Sequence, residues 1–177
     1  ARYNETIELA EDDPERIVKL KEALALYKSV LDLESASEQS KHTVLTYIEE
    51  TEEALAALEY GRIETAFNAA LTAIAGADAT PEQTQAVLDA IGEFDALTKA
   101  YHGSESMQVA LVQMGDGYVQ LERWQDSIDT FSRLTAFYTD SSGIRITPPN
   151  PNLDRALRRA ESQIVSITQY VRQMAGQ

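Results

Sequence analysis

From Pro14 to Met174 apolar side chains recur at steps of three and four residues, while the alternation a half-buried strand needs is almost absent. A chain patterned this way must bury one flank of each helix against another helix, so the expected class is all-α. Helix starts are written locally. Asp13-Pro14-Glu15 reads as an N-cap, a first-turn proline and a first-turn acid, and Ile17, Leu20, Leu24, Tyr27 and Leu31 then form one stripe ending near Glu34. Ser35-Ala36-Ser37-Glu38 offers the next cap, for a helix to about Tyr60 that turns Val44, Ile48, Leu55 and Leu58 inward. Gly61 is expected to break it, because glycine is the cheapest residue for a left-handed turn.

An alanine-rich helix is expected over 62–74, with Ile63, Phe67, Ala70 and Leu71 packing. After a loop at Gly76-Ala77-Asp78-Ala79, Thr80-Pro81-Glu82-Gln83 restarts the helical pattern with a cap, a proline and a capping-box glutamine. Val87, Ile91, Phe94, Leu97 and Tyr101 hold one face until His102-Gly103. Ser104 caps a fifth helix to about Leu121, and a tight turn at Glu122-Arg123 leads into a sixth that ends near Tyr138. Residues 139–151 are a loop whose prolines at 148, 149 and 151 withhold amide donors and extend their predecessors. The last helix, 152–175, places Leu153, Leu157, Ala160, Ile164, Ile167, Val171 and Met174 at alternating steps of four and three. That spacing suits first a capping helix laid along its neighbours, with a homodimer seam as the alternative.

The whole is read as one domain: a lead-in over 1–12, helical hairpins over 13–138, the proline loop, and the C-terminal helix. With 177 residues and hydrophobic residues at 44%, the chain can bury a core of its own. Cysteine is absent, which excludes disulfides, thiolate metal sites and cysteine nucleophiles and leaves the redox compartment open. The formal charge of −14, from 29 acidic against 15 basic side chains, argues against nucleic acid as a partner, because phosphate binding needs a basic stripe. Arg155, Arg158 and Arg159 form the only dense basic group, and a solvated face accounts for it.

No apolar run reaches the roughly 18 to 20 residues of a membrane span, and no signal peptide is visible. The expectation is a soluble chain of the cytoplasm or periplasm; since it begins at Ala1, a native form tethered through a removed N-terminal segment is compatible with it. His42 and His102 fall on separate elements and in no Glu-x-x-His or His-Glu-x-x-His pattern, so no metal or other cofactor is expected. His42 suits a helix surface, and His102 suits a helix C-terminus, where a cation is favoured. The Gly-x-Gly in Met114-Gly115-Asp116-Gly117-Tyr118 lacks the strand, third glycine and lysine of phosphate loops, so it reads as close packing. Asp140-Ser141-Ser142-Gly143 reads as a turn, because calcium ligands do not continue at EF-hand spacing. The paired acids Glu49-Glu50 and Glu52-Glu53 are expected from composition, and no catalytic residue is assigned. Asn4-Glu5-Thr6 is formally a glycosylation sequon.

The stretch from Gln108 to Thr139 resembles a tetratricopeptide repeat, a helix–turn–helix unit of about 34 residues that stacks into superhelices. Gly115 falls on the family's small residue, Tyr118 on its tyrosine, and Trp124, Ser127 and Phe131 on its aromatic, small and aromatic places in the second helix. Leu111 and Met114 fill the preceding apolar places. Leu134 departs from a small-residue preference, and Thr139 stands where the family ends on proline. An echo over 47–74 places Gly61 at the turn, followed by Ile63, Ala66, Ala70 and Ala73, but Glu50 and Glu53 stand where the family buries apolar residues. A second-helix half recurs around Leu20, Ala23 and Tyr27. Its anchor Ala23, with Ala66 and Ser127, is unevenly spaced, which implies an irregular array of about seven helices in antiparallel hairpins.

The resemblance implies a scaffold whose concave face takes a protein or peptide partner, with Val109, Val112, Asp116, Val119 and Gln120 as the outward positions; packing of these valines against the fourth expected helix is an equal alternative. The first functional expectation is therefore a non-catalytic interaction module, an adaptor, scaffold or assembly factor. A small-molecule-binding domain or accessory subunit is the alternative, with Tyr101, Tyr118 and Trp124 around an inter-hairpin pocket. Self-assembly is third. The loop from Ser141 to Asn150 is a second expected surface, since long ordered connections carry function.

Overall fold

A computed structural model describes residues 14–75 and 79–176 of the chain. The expected lead-in, the Asp13 cap, the Asn4-Glu5-Thr6 sequon and most of the loop at 76–79 lie outside the described residues. Six α-helices run through the rest: α1 (Pro14–Leu31), α2 (Glu38–Ile74), α3 (Pro81–Ala100), α4 (Glu105–Gln120), α5 (Trp124–Phe137) and α6 (Pro151–Ala175). Among the described residues no strand forms; one antiparallel bridge joins Thr139 to Arg145.

The break expected at Gly61 does not occur. Two expected helices are one, α2, and the count falls from seven to six. An interior glycine costs a helix only about 1 kcal/mol relative to alanine. Gly61 has no proline beside it and does not adopt positive φ, which among the described glycines is confined to Gly103 and Gly143. Alanine, leucine and glutamate on either side sustain the helix through it.

The chain divides into two compact units between Gly61 and Arg62. In the first, α1 and the leading part of α2 lie antiparallel. Lys21 reaches Glu59 at 2.9 Å, Lys28 reaches Glu52 at 2.8 Å, and the Tyr27 and Tyr47 rings lie 5.5 Å apart. Leu20, Ala23, Ile48, Leu55 and Ala56 are its buried apolar residues. The serine cap is in place, with the Ser40 amide donating to Ser37 Oγ at 3.1 Å.

In the second unit the end of α2 and helices α3 to α6 pack as successive antiparallel neighbours. Phe67 of α2 meets Phe94 of α3 edge-on at 5.4 Å, and Gln83 Nε2 donates to the Ala73 carbonyl at 3.0 Å. Thr80 closes the expected capping box with Gln83, Ser104 Oγ accepts the Met107 amide at 3.0 Å, and Asn150 Oδ1 accepts the Asn152 and Leu153 amides.

The α4–α5 hairpin is the tightest join. A Cβ on Gly115 would lie 2.5 Å from the Phe131 ring, and one on Gly117 would lie 2.9 Å from Phe67 and 3.0 Å from Ile91. Ser127 Oγ donates to the Gly115 carbonyl at 2.9 Å, so the small residue that permits the approach also satisfies a buried acceptor. Near the other end, Tyr138 donates to buried Gln108. The three-residue turn from Leu121 to Arg123 is possible because Glu122 takes φ +56°, the left-handed region.

Candidate functional site at the end of the C-terminal helix

α6 begins as a covered helix. Leu153, Leu157, Ala160 and Ile167 of its stripe are buried. Arg159 on one flank reaches Asp116 of α4 at 2.7 Å, and Asp154 and Glu161 on the other hold Arg145 at 2.9 and 3.3 Å. Burial raises the Asp116 carboxyl above its ordinary value in spite of Arg159. Asp95, between Lys99 and Arg133, goes the other way. Burial alone would raise it, yet hydrogen bonds from those two cations outweigh burial and lower it.

The covering stops where α5 begins. Trp124, the first residue of α5, meets Tyr170 with ring centroids 5.1 Å apart, and α6 continues past that contact to Ala175. At 1.5 Å per residue the overhang is about 8 Å. On it the apolar stripe persists without a cover: Val171 is 38% exposed and Met174 59%, with Tyr170 at 44% one turn before Met174. Trp124, Ser166, Ile167 and Tyr170 wall an open cleft of about 250 Å³.

The residues expected to bind separate from one another. Val109 and Val119 are half-buried, Gln120 is exposed, Val112 is only 8% exposed, and Asp116 is occupied by Arg159. Trp124 lines the cleft, whereas Tyr101 and Tyr118 are not among its walls. Tyr101 is the C-cap of α3, and Tyr118 lies under the Arg123 guanidinium at 5.2 Å. Reading the sequence overlooked Tyr170, which sits off the stripe. A signal was present, since residues 162–177 are the longest stretch without aspartate or glutamate in this acidic chain.

The proline loop is held at several points. Asp140 Oδ1 accepts the Ser142 and Ile144 amides, the Ile146 amide donates to the Tyr138 carbonyl at 2.7 Å, and Pro148 is buried. A shallow cleft of about 340 Å³ runs along Thr147, Pro149, Asn150 and Asp154. His42 is exposed, and the His102 ring lies tilted against Phe137 with centroids 5.1 Å apart. Among the described residues no three histidine or carboxylate side chains converge as a metal site, and no helix is long and apolar enough to cross a membrane. Comparison with protein-family models, with curated proteins and with solved structures finds no match.

Proposed function

We propose that this protein is a non-catalytic interaction module, an adaptor or assembly factor, that receives a peptide or partner helix at the end of α6. The observation carrying this reading is the uncovered end of the apolar stripe beside the Trp124–Tyr170 cleft. Contiguous exposed apolar surface next to a shaped aromatic cleft is where association yields the most per residue. A small-molecule role would use the same cleft, but its roughly 250 Å³ is smaller than ordinary ligand pockets and it is open to solvent.

The tetratricopeptide-like reading of 108–139 belongs to this proposal. It is supported by Gly115 lying against Phe131 and by Ser127 bonding the Gly115 carbonyl, three positions at which the resemblance places its packing residues. In that reading α6 takes the place of the first helix of a following unit, and its far end is where a further helix would stack.

The test is comparative capture from an extract of the source cells, using the native chain and a Tyr170→Ser/Met174→Ser variant, quantified by mass spectrometry. A discrete set of proteins retained by the native chain and lost by the variant is the expected result. Equal capture by both chains refutes this placement of the interface.

A further inference from the structure

The connection between α5 and α6 contains a short extended segment with one unpaired edge. Thr139 and Arg145 form the antiparallel bridge. The bonds flanking it run from the Ile146 amide to the Tyr138 carbonyl at 2.7 Å and from the Asp140 amide to the Ile144 carbonyl at 2.9 Å. In such a pair successive residues turn their backbone groups to opposite edges. Ile144 and Ile146 therefore direct theirs toward 138–140, and the N–H and C=O of Arg145 and the N–H of Thr147 face outward. Neither of these two amides donates to an acceptor among the described residues, and both residues are exposed.

Side chains alternate as well. Arg145 reaches Asp154 and Glu161 of α6, so Ile144 and Ile146 stand on the opposite face, 65% and 47% exposed. Thr147 also lines the proline cleft of about 340 Å³, so the open edge and the cleft are continuous. The Asp140 turn holds the segment through the Ser142 and Ile144 amides.

We infer that the outer edge of residues 145–147 takes an extended peptide segment of a partner protein, which adds a strand there and runs on along the cleft. Outward amide and carbonyl groups two residues apart are complemented by another extended backbone, whereas a helix has its own backbone groups paired internally. The peptide residues that bond Arg145 and Thr147 lie on the α6 side, and the alternate ones, aliphatic, lie over Ile144 and Ile146. This surface uses none of the residues of the Trp124–Tyr170 cleft, and the inference does not rest on the reading of that cleft. A second copy of the chain is a poorer occupant. Twofold pairing about Arg145 would set two arginines directly opposite each other, and each copy carries −14.

The probes are two capped octapeptides of alternating serine and valine, one N-methylated on its valines and the other on its serines. They are equally apolar and differ only in which edge can donate. With valine over Ile144 and Ile146 the serines bond the protein, so the N-methylvaline peptide is the one expected to bind. At a concentration tenfold above its Kd it should slow hydrogen exchange of the Arg145 and Thr147 amides about tenfold, since only the unbound fraction exchanges. The N-methylserine peptide should leave both rates unchanged. Thr147→Pro removes one outward donor and keeps Ile146 extended, and it should weaken binding about fivefold. Protection of the Ile146 amide checks that the bridge survives in that variant. Ile144→Ser/Ile146→Ser, two exposed changes that leave the edge intact, should weaken binding by a similar factor. Equal slowing by both peptides, no slowing by either, or undiminished binding to both variants overturns the inference. Slowing produced by raising protein concentration alone overturns it too, because the occupant is then a second copy.

Discussion

In the α4–α5 hairpin, Gly115 gives up its side chain so that the Phe131 ring can occupy the space, and Ser127 fills the remaining polar need. The stripe of α6 is buried at Leu153, Leu157, Ala160 and Ile167 and lies open beyond, at Val171 and Met174. Both regions carry helical apolar patterning, but only one has a neighbour shaped to it. The patterning states that a flank will be buried, and the glycine and aromatic placement states against what. Where the second kind of information is missing, as at Val171 and Met174, the flank stays exposed.

Substitutions can sharpen this contrast, beginning with the hairpin. Phe131 is fully buried, so Phe131→Ala should lower unfolding free energy by about 4 kcal/mol in urea denaturation. Gly115→Ala should cost about 2 kcal/mol, because the new methyl group would lie 2.5 Å from the fully buried Phe131 ring, and this outweighs alanine's better helix propensity. A neutral Gly115→Ala would break the comparison at its strongest point. Gly61→Ala is expected to change sign. A Cβ there meets nothing within 4 Å, so the helix gains about 1 kcal/mol, read as a higher midpoint of thermal unfolding. Val171→Ser and Met174→Ser should stay within about 0.5 kcal/mol of the native chain, and a larger loss in either would mean that the overhang is already covered.

The smallest effect is electrostatic. In a carboxyl NMR titration Asp116 should titrate above the ordinary 3.8 and Asp95 below it. Asp95 binds its proton less readily folded than unfolded, so its contribution is present above pH 3.8 and is lost as pH falls below that value. Asp116 binds its proton more readily when folded, so its contribution declines as pH rises from 3.8 through its raised value. Finding both carboxyls on the same side of 3.8 would contradict the burial of one or the pairing of the other.

Helix class and most helix starts were legible in the sequence because capping is local chemistry. Thr80 with Gln83, and Ser104 before Met107, are each complete within four residues. The continuity of α2 was not, since whether Gly61 turns or propagates depends on a difference of about 1 kcal/mol that flanking residues can offset. The candidate site was legible only in part. Trp124 stood out, but its partner Tyr170 is 46 positions away and off the stripe, and periodicity is identical whether a flank is covered or not. Val112 and Asp116 have the spacing of an outward face, yet α6 returns along α4 and Arg159 binds Asp116, a contact 43 residues apart that no local pattern encodes.

The proline loop has a consequence in chain statistics. Between Tyr138 and Asn150 the backbone is fastened by the Asp140 turn, by the Tyr138–Ile146 bond and by Arg145 on Asp154, so one long connection is divided into several short closures. Closure entropy grows with the logarithm of loop length, and the divided loop has few alternative conformations left to explore. Ile144 and Ile146 are therefore presented to solvent on a backbone already fixed in position, and any molecule that meets them there would lose little freedom of the loop on contact.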